Sequence, residues 1–304
     1  MSATLIELSD ALARATERAA TAAVAVHTEA RGSSSGVVLR PGIIVTAEHA
    51  LRRDEEIQAT LPDGRSVSVS LAGRDPSTDL AILKCAEAAA SPTEIGDAAA
   101  ATPGALALVV GRTRASGPVA ALGVISLVTA ERKTWTGAAL APYIRLDVSL
   151  QPTAVGGAVV DTGGRLIGMA TPRFARFGAI AVPTATINRI ADVILQKGRI
   201  PRGYLGVGLQ AVRLPEALRQ LLQAKEKTAA IILEIETDGP AHKAGIVIGD
   251  ILVSLEGQPV AHLENVQSHL HAENIGKTLV AKIVRGGAVH SVNITVTERE
   301  HKGA

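Results

Sequence analysis

Short β-prone runs, separated by glycine and proline turns, recur about every 10 to 15 residues over the first two thirds of the chain, and this rhythm limits the fold more than any other feature. Val24 and Val26 open the series. Val37, Val38 and Ile43 to Val45 follow, punctuated by Gly32, Gly36, Pro41 and Gly42. Val67, Val69 and Leu71 alternate with Ser66, Ser68 and Ser70 after the turn Pro62-Asp63-Gly64, the pattern of a half-buried strand. Leu80 to Leu83 reads as a fully buried strand. Further runs lie at 105–110, 123–128, 144–148, 158–160, 166–170 and 179–182. Many short strands with regular turns imply a sandwich or a barrel. Aromatic residues make up only 2% of the chain, so its interior must be built from Val, Ile, Leu and Ala.

Two stretches break the rhythm. Leu5, Leu8, Leu12, Ala15 and Ala19 recur at helical spacing, which predicts an amphipathic helix over residues 4–20. Ile187, Ile190, Ala191, Ile194 and Leu195 share one helix face. Lys197-Gly198 is a stop signal for that helix, and Pro201 lies just beyond. The segment GRIPR, residues 198–202, is therefore the expected linker between two domains. Beyond it a mixed pattern predicts strands near 207–212, 230–236, 251–255, 278–285 and 289–297. It also predicts helices near Pro215 to Gln223 and Leu263 to His271. Gly286-Gly287 is a hairpin signal between the last two strands. The expected organisation is a helical segment at 1–20, a β domain at 21–197, the linker, and a smaller α+β domain at 203–299.

Charge and cysteine content exclude several classes. The net charge is +2 with no basic stripe, so no nucleic-acid partner is expected. Cys85 is the single cysteine, so no intramolecular disulfide forms. His262, His269, His271 and His290 fall in the last third, but His269 and His271 are two residues apart and point to different helix faces. Neither a metal site nor a cofactor is expected. No apolar run reaches the roughly 18 to 20 residues of a membrane span. The first 30 residues lack the basic start and apolar core of a leader, and on that ground a cytoplasmic location is expected.

Three segments carry chemistry. Gly42 to Leu51 reads GIIVTAEHAL, a strand running into a turn that presents His49. Asp75 to Leu83 reads DPSTDLAIL and sets Asp79 at the mouth of an apolar strand. Asp147 to Gly168 includes Pro152-Thr153-Ala154-Val155-Gly156-Gly157-Ala158-Val159. Their order and spacing resemble the His, Asp, Ser layout of trypsin-like serine proteases, most closely the HtrA/Deg type. Phe177-Gly-Ala-Ile-Ala-Val-Pro183 adds to the likeness. The resemblance implies a double six-stranded β-barrel, with His49 as general base and Asp79 as the carboxylate that orients it. The family's third segment reads Pro-Gly-Asn-Ser-Gly-Gly-Pro-Leu. Here Val155 stands in the serine's place, and Thr153 and Ala154 replace the glycine and asparagine of the oxyanion loop. Valine has no proton to give and no lone pair to attack with. Thr153, Ser149 and Cys85 are the alternative nucleophiles nearest in type. Thr153 sits two residues away, Ser149 is expected in a strand, and Cys85 ends the Leu80 strand as a small core residue.

The last third resembles a PDZ domain of the same family. Arg202-Gly203-Tyr204-Leu205-Gly206-Val207 is similar to its carboxylate-binding loop. Asp238-Gly-Pro-Ala-His-Lys-Ala-Gly245-Ile-Val-Ile-Gly249-Asp250 is similar to its SPAxxAGLxxGDxI stretch. The resemblance implies peptide binding by Tyr204, Leu205, Gly206 and Val207, with Val266 and Leu270 lining an apolar pocket. The expected ligands are peptides or unfolded segments with hydrophobic C-termini. The leading expectation is a catalytically inactive homologue that binds peptides through this domain. The rivals are an active serine endopeptidase and a regulatory subunit of a mixed HtrA oligomer. A homotrimer through the N-terminal helix is a further expectation that the family implies.

Overall fold

The computed structural model of the chain describes residues 3–28, 31–51, 56–86, 91–134 and 139–298. Residue 299, the expected end of the last domain, lies outside the described residues. The chain divides into two compact units, one of Met1–Thr134 with Ala139–Ile200, the other containing Pro201–Ala304.

The first unit opens with helix α1 (Ala3–Ala20) and continues through β1 (Ala23–Thr28), β2 (Arg31–Arg40), β3 (Ile43–Ala47), β4 (Ile57–Thr60), β5 (Ser66–Asp75) and β6 (Leu80–Lys84). These six strands close into a barrel in the order β1-β2-β3-β6-β5-β4. The alternation read in the sequence is realised in β5, where Val67 and Val69 are buried and Ser66, Ser68 and Ser70 are exposed. The second barrel uses β7 (Leu106–Thr113), β8 (Gly117–Thr129), β11 (Tyr143–Asp147), β12 (Ala158–Val160), β13 (Leu166–Thr171) and β14 (Ala179–Pro183). A two-stranded pair, β9 (Arg132–Lys133) and β10 (Ala139–Leu140), lies between β8 and β11 in the chain. The closed order is β11-β14-β13-β12-β7-β8. Both interiors are aliphatic. Ile44, Leu80, Ile82 and Leu83 are fully buried in the first barrel, and Ile144, Leu146, Met169 and Ile180 in the second. Small buried residues, Ala15 and Ala19, let α1 lie close to the barrels. Arg112 of β7 then caps its end, donating to the carbonyls of Ala20 (3.0 Å) and Ala23 (2.7 Å). Helix α2 (Thr184–Lys197) buries Ile187, Ile190, Ala191 and Ile194 and ends at Gly198, whose φ of 72° suits a left-handed cap.

The second unit runs through β15 (Gly203–Tyr204), β16 (Val207–Arg213), α3 (Glu216–Leu222), β17 (Thr228–Ile235), α4 (Pro240–Lys243), β18 (Ile251–Leu255), β19 (Gln258–Pro259), α5 (Leu263–Gln267), β20 (Thr278–Arg285), β21 (Ala288–Thr295) and β22 (Thr297–Glu298). Its main sheet has the order β16-β17-β18-β20-β21, with β19 beside β18, so β16 is an edge strand. The hairpin between β20 and β21 turns at Gly286 and Gly287, both with positive φ.

Two local expectations need correction. Helix α5 stops at Gln267 rather than His271. Tight turns follow it, and they bring the Leu270 carbonyl to the Gly203 N–H at 2.9 Å. Ser149 is not in a strand, because β11 ends at Asp147.

Candidate active site and peptide groove

His49 sits on a single 3-10 turn, Glu48–Ala50, immediately after β3. Asp79 is fully buried at the start of β6, with a left-handed φ of 59°. Such a φ costs of order 1 kcal/mol in a non-glycine residue and persists only where its surroundings impose it. Here the preceding turn imposes it. The Asp75 carboxylate accepts from the Ser77 N–H (3.1 Å), the Ser77 hydroxyl and the Thr78 hydroxyl (2.7 Å). The strained residue then aims its own carboxylate at His49. Asp79 Oδ1 accepts from the His49 backbone N–H at 3.0 Å, and its two oxygens lie 2.9 and 2.8 Å from His49 Nδ1. The Thr171 hydroxyl, from the end of β13 in the second barrel, also donates to Asp79 Oδ2. With Nδ1 held by the carboxylate, Nε2 is the ring nitrogen able to take a proton. Beside this pair the Glu48 carboxylate lies 3.7 Å from Arg74 and 3.9 Å from Arg173.

The loop that the resemblance pairs with His49 has a different construction. Pro152–Ala154 forms a 3-10 turn, and Val155, buried, ends it. The Val155 N–H donates back to the Pro152 carbonyl at 3.3 Å. Ser35 of β2 grips the loop from the first barrel. Its N–H donates to the Val155 carbonyl (2.8 Å) and its hydroxyl to the Thr153 carbonyl (2.6 Å). The hydroxyl also accepts the Arg112 N–H at 2.9 Å. Gly156 has φ +81°, and a Cβ there would lie 2.3 Å from the Ser35 carbonyl oxygen and 3.0 Å from the Ala47 nitrogen. The loop thus packs against the strand that ends just before the His49 turn. Of the alternative nucleophiles, Cys85 is buried just beyond β6, and Thr153 lies inside the turn.

Thr171, Ser35 and Arg112 carry no spacing signal that sequence reasoning could have used. They reach the site across 92, 118 and 77 residues.

In the second unit Leu205 and Val266 are buried in one apolar cluster, with Val207, Leu209 and Leu270 packed against it. The Leu205 carbonyl accepts the Ala241 N–H and the Gly206 carbonyl accepts the Glu236 N–H, each at 2.9 Å. A trans peptide sets its N–H opposite its C=O. The N–H groups of Gly206 and Val207 are therefore turned away from those partners. Gly206 adopts φ +76°, which allows the tight bend. Tyr204 pairs with Thr297 at the base of the loop. Asp250, buried behind the loop after α4, is held by Arg285 at 2.6 and 2.7 Å and by the Val247 N–H. Burial pushes its carboxyl up, but these donors outweigh it and leave it below the ordinary carboxylate value. Among the described residues no group of His, Cys, Asp or Glu is placed to hold a metal ion, and no helix is long and apolar enough to cross a membrane.

Two six-stranded barrels followed by a PDZ-type sheet define a trypsin-like peptidase fold joined to a peptide-recognition fold. Residues 34–169 match the trypsin-like peptidase domain family and residues 203–296 the PDZ domain family. A probable periplasmic serine endoprotease DegP-like from Pseudomonas fulva is 28% identical over 275 residues, covering 88% of this chain and 56% of that protein. Its counterpart from Halomonas elongata is 28% identical over 278 residues, covering 89% and 57%. The chain thus spans just over half the length of these relatives. Among solved structures, the serine endoprotease from Yersinia pestis is 28% identical with a TM-score of 0.70, covering 95% of this chain and 98% of that one. The HtrA-type protease AlgW with a tripeptide is 25% identical with a TM-score of 0.69, covering 95% and 97%. The chain is therefore similar to HtrA/DegP-type proteins, with a trypsin-like domain and a PDZ domain in the same order. The expected cytoplasmic location is overturned, because the relatives are named as periplasmic. A missing leader signal is a poor guide to compartment, since leaders are removed from mature chains.

Proposed function

We propose that this chain is a non-cleaving HtrA homologue that captures peptide C-termini with its PDZ groove, and that it works in the periplasm like the relatives named above. The observation that carries the first part is Val155. It stands where the family has its serine, and its side chain carries no hydroxyl. Its N–H is also spent inside the 152–155 turn, so it is not offered to an oxyanion. The peptide part is supported by the edge strand β16, the outward N–H groups of Gly206 and Val207, and the apolar floor of Leu205, Val266 and Leu270. Backbone donors in such a bend suit a carboxylate, and an edge strand accepts an extended peptide. The experiment has two arms on the full chain. A fluorophosphonate probe and an unfolded casein-like substrate should give no labelling and no cleavage; loss of the nucleophile in comparable systems removes about 10⁶ in kcat. Free-acid peptides ending in Val, Leu or Ala should bind near micromolar Kd, and amidating the terminus should weaken them by about tenfold. Stoichiometric labelling of a hydroxyl would end the non-cleaving reading; indifference to amidation would end the carboxylate reading.

A second reading, an active endopeptidase, is favoured by the complete His49–Asp79–Thr171 array and by the relatives' names. It needs a nucleophile that reaches His49 Nε2. Assembly into a homotrimer, or with active homologues, stays a proposal. The exposed Leu5, Ile6 and Leu8 on α1 are compatible with it, and solution mass at several concentrations tests it.

A further inference from the structure

We infer that Glu234 sets the ligand preference of the PDZ groove by selecting a basic side chain at the ligand's penultimate position; this rests on the peptide-capture reading above. Strand β17 pairs with the edge strand β16 in a register that slips once. Gly208 faces Glu234 and Leu209 faces Ile232, so Leu233 is an extra residue, a β-bulge. Bulges re-aim the side chains around them. This one leaves Leu233 47% exposed and turns Glu234 over its neighbour on the edge strand. A Cβ built on Gly208 would lie 2.9 Å from Glu234 Cβ and 3.2 Å from its Oε2. Because Gly208 has no side chain, nothing on β16 stands between this carboxylate and a peptide strand added at the edge. Glu234 is exposed, and no hydrogen bond or ion pair is formed by its carboxylate among the described residues.

The face follows from strand geometry. Val207 and Leu209 pack towards the apolar cluster with Leu205, Val266 and Leu270, so Gly208, between them, belongs to the opposite face. A ligand whose last side chain enters the apolar pocket alternates in the same way. Its penultimate side chain emerges on the face where Glu234 lies, close to the bend that would hold the terminal carboxylate. A lysine or arginine there meets an unpaired carboxylate; a glutamate meets a like charge. For an exposed pair the discrimination is modest and salt-dependent, about 2- to 5-fold between Lys and Ala at low salt.

The test titrates the full chain with free-acid hexapeptides ending in Val and carrying Lys, Ala or Glu in the penultimate place, each beside its amidated form. The expected affinity order is Lys, Ala, Glu. Glu234→Gln should flatten the order, and Glu234→Lys should invert it, with no change in Tm because the side chain is exposed and unpaired. Raising the salt to about 1 M should compress the wild-type order. If free-acid peptides bind better than amides but Glu234→Lys leaves the order unchanged, the role given to Glu234 is wrong and the groove reading stands. If no peptide binds any variant, both fall together.

Discussion

The two halves of the first unit's site differ in how they are built. On one side a buried carboxylate, Asp79, gathers the His49 N–H, the His49 ring and the Thr171 hydroxyl. On the other, the 152–157 loop has its carbonyls held by Ser35 and its Val155 N–H folded back on Pro152. The first half is arranged as acid–base machinery. The second offers neither a nucleophile at 155 nor a free donor on that residue. The two halves are also held in place differently. Asp79 sits in a strained backbone conformation and neutralises three donors drawn from two barrels, so it is bound into stability as well as chemistry. The Val155 side chain contributes packing alone, and its backbone is held by Pro152 and Ser35.

The largest effect should come from repairing the weak half. Val155→Ser alone should restore little probe labelling, because Thr153 and Ala154 keep the turn as it is. Thr153→Gly with Ala154→Asn and Val155→Ser should label about 10² to 10³ times faster than the single variant, the worth of one recovered oxyanion donor. Equal labelling rates would show that the turn imposes no barrier. Removing the strong half tests the other side of the comparison. Asp79→Ala leaves buried donors without an acceptor and should cost about 3 kcal/mol in denaturant unfolding, whereas Val155→Ser should cost less than about 1 kcal/mol. Comparable losses would mean that Asp79 is not the structural keystone of the pair.

Two glycines extend the comparison to the second unit. Gly156 and Gly206 both have positive φ, but only at Gly156 does a Cβ meet backbone at 2.3 Å. At Gly206 the nearest atoms lie at 3.4 to 3.5 Å, an ordinary contact. Gly156→Ala should therefore lower stability by more than about 2 kcal/mol, and Gly206→Ala by about 1 kcal/mol from conformational strain alone. Similar melting shifts in the two variants would break the distinction. The smallest effect is that of acid. Asp250 is held below its ordinary value, so its pairing with Arg285 stabilises the fold above the unfolded carboxylate value, near pH 4. That stability is lost as pH falls through the lower folded value. Thermal melts followed from pH 5 down to 2 should show this loss, and Asp250→Asn should flatten it.

The positions of His49 and Asp79 were legible because each lies in a contiguous stretch, strand then turn, whose pattern survives in one dimension. Thr171 and Ser35 were not. Thr171 is a lone hydroxyl and Ser35 the last of three consecutive serines, each in an ordinary strand, and the role of each exists only once barrel closure brings it to a partner about a hundred residues away. Helix α5 was read four residues too long for a related reason. Its apolar spacing continues to Leu270, but the Leu270 carbonyl is claimed by the Gly203 N–H, and a tertiary hydrogen bond overrides local helical pattern.

Local order was therefore within reach of the sequence alone. The period-two alternation of β5, the helical stripe of α1, the glycine turns and the valine at 155 are properties of the chain in one dimension, where side-chain spacing and backbone freedom act directly. Tertiary structure decided what long-range contact alone can decide. Barrel closure joins Thr171 to Asp79 and Ser35 to the 152–157 loop. A one-residue slip between β16 and β17 lays Glu234 across Gly208, because register is a relation between two strands and leaves no mark on either one.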